Sequence, residues 1–178
     1  MADDIWVFGY GSLIWDPGFA CAEALVARLD GWHRSFCMWS VHYRGTAAAP
    51  GLVLALDRAG GATCHGVAFR VPGAEAMATT AYLRARELIS DAYLEARLPV
   101  TLPGGQRVEA LSYVINRDHA QYAGVLTPDQ QARIIAAAVG VKGDNADYLT
   151  ATAAHLARLG IADAGMEHLV ALVTQLRA

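Results

Sequence analysis

Apolar positions change their spacing along the chain, and each change marks an element. Ile5-Trp6-Val7-Phe8 is an unbroken run of β-branched and aromatic residues, the pattern of a short buried strand. Residues 21–29 are apolar without deciding between a short helix and a strand. Residues 31–39 alternate aromatic and polar side chains as a strand does. A polar, turn-like stretch over 41–46 follows, closed by Pro50-Gly51. Residues 52–56 and 66–71 then read as two strands, with Asp57-Arg58-Ala59-Gly60-Gly61 as a hairpin connection. After Pro72-Gly73, residues 74–88 are rich in Ala, Met, Leu, Glu and Arg with no Gly or Pro, which predicts a helix. Two more strands, 93–102 and 106–116, flank the turn Pro103-Gly104-Gly105.

Three helices are predicted to finish the chain. Thr127 at N-cap, Pro128 at N1 and Gln130 at N3 form a strong start signal for a helix that stops at Gly140. Asn145 is expected to cap the next, which ends at Gly160, and the last spans about 166–176. Strands first and helices later predict one α+β domain over residues 1–178, a mixed or antiparallel sheet closed against helices.

Composition narrows the function classes. With 178 residues, 54% apolar and 17% charged, the chain has ample material for a core and none of the signature of disorder. The net charge is −3 and the basic residues are scattered, which argues against nucleic acid or anionic lipid as partner. No apolar run reaches the ~20 residues of a membrane span. The acidic start Met1-Ala2-Asp3-Asp4 has no signal-peptide character, so a cytoplasmic location is expected. Cys21, Cys37 and Cys64 are odd in number and widely spaced, the usage of reduced thiols.

The first stretch with chemical content is Gly9-Tyr10-Gly11-Ser12, directly after the opening strand. Glycine allows positive φ and lets a ligand approach the backbone. Three readings apply. The plainest is a tight turn between core elements. A dinucleotide loop needs a third glycine and a helix at once; here Ile14 and then Asp16-Pro17-Gly18 stand in their place. A carboxylate-binding nest of backbone N–H groups fits, with Ser12 adding a hydroxyl and Tyr10 a wall. The second notable residue is Glu87, in the last turn of the predicted helix. A carboxylate is poorly placed at that end, where the helix carries partial negative charge, and such local conflicts concentrate at functional sites. Pairing with Arg84, Arg86 or solvent is the plain alternative. Other constellations are missing: no two of the six histidines have H-x-x-x-H spacing, Ser12 lacks the G-x-S-x-G frame, and no phosphate-binding Walker loop occurs.

Val7-Phe8-Gly9-Tyr10-Gly11-Ser12-Leu13-Ile14-Trp15 resembles the opening motif of the ChaC-like γ-glutamylcyclotransferases. The likeness continues in family order through residues 42–45, 50–56 and 66–70. It then takes in Arg86-Glu87 with Ala92-Tyr93, Tyr122, and Asn145-Ala146-Asp147-Tyr148-Leu149. The resemblance implies a small β-barrel-like sheet with flanking helices and cleavage of glutathione to 5-oxoproline and Cys-Gly, with no cofactor and no metal. By position it implies Glu87 as catalytic carboxylate. Val7, Phe8, Gly9, Tyr10, Gly11, Ser12 and Leu13 would line the γ-glutamyl site, with Tyr93 and Tyr148 near it. The six-residue step from Glu87 to Tyr93 resembles bacterial members. The loop Thr46-Ala47-Ala48-Ala49 is less polar than the family pattern, so no contact to the Cys-Gly half is carried over to it. Alternatives are ring closure on other γ-glutamyl amines or dipeptides, or a metabolite-binding module without catalysis. The partner expected in each case is a small molecule.

Overall fold

Five residues, Ile5–Gly9, form strand β1, and both of its edges are hydrogen-bonded. The computed structural model describes residues 3–178. Strand β2 is Glu23–Ser40, β3 Gly51–Val71, β4 Tyr93–Thr101 and β5 Arg107–Ile115. They close a barrel in the order β1-β3-β2-β4-β5. β1 pairs antiparallel with β3, Val7 opposite Phe69, and parallel with β5, Val7 opposite Leu111. A strand paired on two sides inside a closed barrel has no solvent edge, which explains the unbroken apolar run in its sequence. Helix α1 is Gly73–Glu87, α2 Pro128–Ala137, α3 Asn145–Arg158 and α4 Ala164–Arg177. The two-residue strands β6 (Val139–Gly140) and β7 (Gly143–Asp144) pair between α2 and α3. The expected α+β class with a mixed barrel-like sheet and helices is what the chain forms.

Packing divides the chain into two compact units, residues up to Arg34 with Leu56–Asn116, and Ser35–Ala55 with Arg117–Ala178. The core of the first gathers Val7, Leu13, Val67, Phe69, Val71, Leu83, Leu111 and Tyr113. That of the second is helical: α3 buries Leu149, Thr152 and Leu156, and α4 buries Met166, Leu169 and Val173, each at helical spacing. The capping box of α2 forms as predicted, with Thr127 and Gln130 satisfying each other's backbone N–H groups.

Three expectations change. The apolar stretch at 21–29 belongs to β2, which starts at Glu23. The hairpin expected at 57–61 does not turn; β3 runs through it for 21 residues. Of Gly60 and Gly61 only Gly61 has positive φ (78°) and the chain stays extended, whereas Gly104 (85°) and Gly105 (90°) both have it in the five-residue loop 102–106, where β4 does turn back into β5. The third concerns Asn145, which is the first residue of α3 rather than its cap.

Asn145 is fully buried, and its side-chain amide pairs with a strand as another strand would. Its Oδ1 accepts from the Leu52 N–H at 2.7 Å and its Nδ2 donates to the Leu52 carbonyl at 2.8 Å. Gly51 is the neighbour that lets it approach: a Cβ there would lie 2.6 Å from Asn145 Oδ1. Asn145→Ala leaves the buried N–H and C=O of Leu52 without partners. We expect a loss of about 2–4 kcal/mol in chemical denaturation. Asn145→Asp, which keeps an acceptor but lacks the donor, should also be clearly destabilising.

Candidate active site

Four elements of the first unit bring polar groups together: the turn after β1, the C-terminal end of α1, β4 and β5. After Gly9 the chain passes through Tyr10 and Gly11 into a single 3-10 turn, Ser12–Ile14. The Ile14 N–H donates to the Gly11 carbonyl at 2.9 Å, and the Asp16 N–H to that of Ser12 at 2.9 Å. The first N–H groups of such a turn, those of Ser12 and Leu13, have no acceptor within it.

Gly9 serves close packing rather than left-handed backbone. Neither Gly9 nor Gly11 has positive φ. A Cβ on Gly9 would stand 3.0 Å from Leu13 Cβ and 3.3 Å from the Phe69 ring, and one on Gly66 would collide with the Gly9 carbonyl and the Phe8 ring. Val7 and Phe8 are 0% exposed, and Leu13 sits in the core, so these three can offer a ligand only their backbone. Tyr10 is buried. Its hydroxyl donates to the Tyr113 carbonyl at 2.8 Å, and its own carbonyl accepts from Arg34 Nε at 2.8 Å. The turn is thus held from both sides before any ligand arrives.

Glu87 is the last residue of α1, with its side chain 18% exposed. Burial pushes its carboxyl above the usual carboxylate range, and the Arg86 guanidinium beside it works in the opposite direction. The helix C-terminus adds to the upward push. Of the pairings open to Glu87, the one formed is with Arg86, Nε to Oε1 at 3.2 Å. Arg84 is committed elsewhere, gripping Glu95 of β4 with Nε and Nη2, each at 2.8 Å. Tyr113 of β5 donates to the same Glu95 at 3.2 Å. Its phenol is pushed far up, by burial first and then by the charges of Glu95 and Glu87, so it stays protonated. Glu95 is held below its ordinary range by Arg84 while Glu87 is raised above its own, so Glu87 is the carboxyl of the pair better suited to take and return a proton.

Tyr93 opens β4 and packs half-buried against the cluster that holds Val7 and Leu13. Tyr148 belongs to the second unit, on α3, where its ring meets Phe36 edge to face at 5.9 Å and Arg44 lies 5.4 Å from its centroid. Among the described residues, no group of three or more His, Cys, Asp or Glu side chains could hold a metal. No helix among them is long and apolar enough to cross a membrane. The structure adds to the site residues that the sequence did not single out, Arg34, Glu95 and Tyr113. Strand periodicity assigns Tyr113 to the core, and nothing in one chain's sequence ties Glu95 to Arg84 eleven residues earlier.

Comparison with known proteins bears directly on this arrangement. A family model described as ChaC-like protein matches residues 5–176. A glutathione-specific γ-glutamylcyclotransferase of Escherichia coli K12 is 37% identical over 98% of this chain and 74% of its own length. One from Danio rerio, glutathione-specific γ-glutamylcyclotransferase 1, is 31% identical over 98% of this chain and 89% of its own. The crystal structure of a yeast γ-glutamylcyclotransferase specific to glutathione superposes with a TM-score of 0.87 at 24% identity, covering 98% of this chain and 97% of that one, a likeness of fold. With nearly every described residue inside the family match, and a relative above 30% identity along almost its full length, the chain belongs to the ChaC-like family.

Proposed function

We propose that this protein is a glutathione-specific γ-glutamylcyclotransferase, a lyase that cleaves glutathione to 5-oxoproline and Cys-Gly. The observation that carries this reading is Glu87: a largely buried carboxyl at a helix C-terminus, its pKa raised by burial, joined through Arg86 to the turn that ends β1. The full-length kinship with enzymes of that name supports the substrate. The chain works as a single catalytic domain, a reading supported by a family match that runs unbroken over 5–176. We place it in the cytoplasm, where an exposed free thiol such as Cys21 stays reduced.

The chemistry asks little of the protein because the substrate carries its own nucleophile. The α-amine of the γ-glutamyl group attacks the γ-carbonyl, a five-membered ring closes, and the amide bond to cysteine breaks. Positioning alone is worth up to roughly 7–11 kcal/mol in well-oriented intramolecular reactions. Two protons leave the attacking nitrogen, and the leaving amine gains two to become an ammonium. A carboxylate that takes protons from the first and returns them to the second ends as it began. Glu87 fills that role, since a base and acid used in turn works best with a pKa near the working pH. The N–H groups of Ser12 and Leu13 hold the substrate's α-carboxylate, and Gly9, Tyr10 and Gly11 shape the turn that presents them. Val7 and Phe8 fix the strand beneath it, and Tyr93 closes the apolar side.

Incubation with glutathione should yield 5-oxoproline and Cys-Gly in equal amounts. Glu87→Gln should lower kcat by roughly 10²–10⁴-fold, the usual worth of a general base, while calorimetric binding of glutathione persists. Near-normal turnover in that variant would remove Glu87 from the mechanism. Products from γ-glutamyl amines or dipeptides but not from glutathione would move the substrate and leave the reaction class standing.

The pH dependence follows from the direction of the Glu87 shift. The base must be ionised, so kcat/KM should climb with pH through the raised Glu87 pKa, on a limb above the ordinary carboxylate range. A folded-state pKa above the unfolded one gives stability that is present at low pH and lost as pH rises through the folded value. Glu87→Gln removes that loss. Its thermal midpoint at neutral pH should equal or exceed that of the parent, and the gap should close on acidification.

A further inference from the structure

Arg86 makes more contacts than an arginine balancing one neighbouring acid needs. Its Nε faces Glu87 Oε1 at 3.2 Å. Its Nη2 donates to Ser12 Oγ at 3.1 Å, and its Nη1 to the Asp16 carbonyl at 2.7 Å and to Tyr82 Oη at 3.0 Å. Ser12 opens the 3-10 turn and Asp16 lies just past its C-cap Trp15, and the two are already joined by the Asp16 N–H on the Ser12 carbonyl. One planar guanidinium, 74 residues from Ser12 in sequence, therefore grips the start of the proposed substrate turn and the chain leaving it while its third nitrogen holds the proposed base. The side chain is 22% exposed, with the Ser12 contact part-buried and those to Asp16 and Tyr82 open to solvent. A rigid fork of donors suits this task, and a lysine ammonium on a flexible stem does not.

We infer that Arg86 is a positioning residue that locks the Ser12–Ile14 turn and the Glu87 carboxylate into one geometry, so that substrate binding and base placement are coupled through a single side chain. The inference rests on the cyclotransferase reading and deepens it. Ser12 gains a defined role. An oxygen that accepts from a guanidinium has its own proton left to give, and the chemistry that takes such a proton beside free backbone N–H groups is a carboxylate, here that of the γ-glutamyl unit. The groups facing Glu87 are Arg86 on α1 and Tyr113 on β5. Behind Tyr113, Glu95 is bound by Arg84, and the phenol stays protonated, so Arg86 is the charge that sets how readily Glu87 ionises.

The test is steady-state kinetics across pH for the parent, R86Q, R86K, S12A and the double variant S12A/R86Q, with thermal unfolding of each. R86Q should raise KM by about tenfold or more, as loss of hydrogen bonds to a charged group does. It should also move the acidic limb of kcat/KM to higher pH, because a charge favouring the ionised base is gone. R86K should leave that limb close to the parent's and still raise KM. S12A/R86Q should raise KM by less than the product of the two single effects, since both variants break the same Arg86–Ser12 link while S12A also removes the hydroxyl that meets the substrate. A uniform fall in activity with an unmoved limb, or fully additive KM effects, overturns the inference. So does unfolding of both arginine variants while S12A stays intact, which makes Arg86 a structural clamp only. Failure of the functional reading shows separately, as absence of 5-oxoproline from the parent enzyme. In that event the Glu87 carboxyl titration followed by NMR in parent and R86Q still decides, and an unchanged titration rejects the coupling.

Discussion

Closure of the barrel through β1 is the constraint from which the site follows. Five residues must satisfy two neighbours at once, β3 running against them and β5 running with them. All five residues pair with β3 and Trp6 and Val7 pair with β5 as well, while the Phe8 carbonyl takes the Ser112 hydroxyl. Val7 and Phe8 are buried without remainder for that reason. The chain leaves this arrangement at Gly9, where Leu13 and Phe69 crowd the space a side chain would need and the carbonyl in turn leaves Gly66 no room for one. The turn that follows inherits its place from the barrel, and its backbone groups are the first polar atoms that the ladders do not consume. A catalyst that must hold a small anionic substrate still, and do little else, is well served by a rigid turn anchored on a rigid strand.

The second half of the site is built by conflict rather than by closure. Helix α1 ends on a carboxylate, against the sense of its dipole, and buries much of that carboxylate as well. Both effects favour the neutral acid, and Arg86 restrains them without reversing them. The nearby Arg84–Glu95 pair shows the contrasting case, a carboxylate gripped by a bidentate arginine and held firmly ionised. Two glutamates a short way apart in one unit thus have opposite proton chemistry. The difference lies in which influence dominates: burial at Glu87, where the neighbouring guanidinium spends most of its nitrogens on the turn beyond, and the full grip of Arg84 at Glu95.

Much of this was legible along the chain, and the misses have physical causes. The helix ending at Glu87, the reversal at Gly104-Gly105 and the capping box at Thr127 depend on local chemistry, and local chemistry can be read from sequence. Residues 57–61 mislead because glycine permits a reversal without requiring one, and the pairing partners of β3 decide. Glu87 stood out because it violates a local preference. The roles of Arg34, Tyr113 and the full reach of Arg86 were hidden because each depends on groups tens of residues away. The anchoring of Tyr10 was hidden in the same way, since its hydroxyl finds a carbonyl of β5, 103 residues on.

The Asn145–Leu52 pairing makes one amide proton unusually informative. Most protected amides exchange with solvent when their own helix or strand opens. The Leu52 N–H is held by a side chain from α3, so its exchange with deuterium reports the parting of α3 from β3 rather than fraying of the strand itself. A single backbone position then serves as a built-in gauge of how often the helical half of the second unit lets go of its strands.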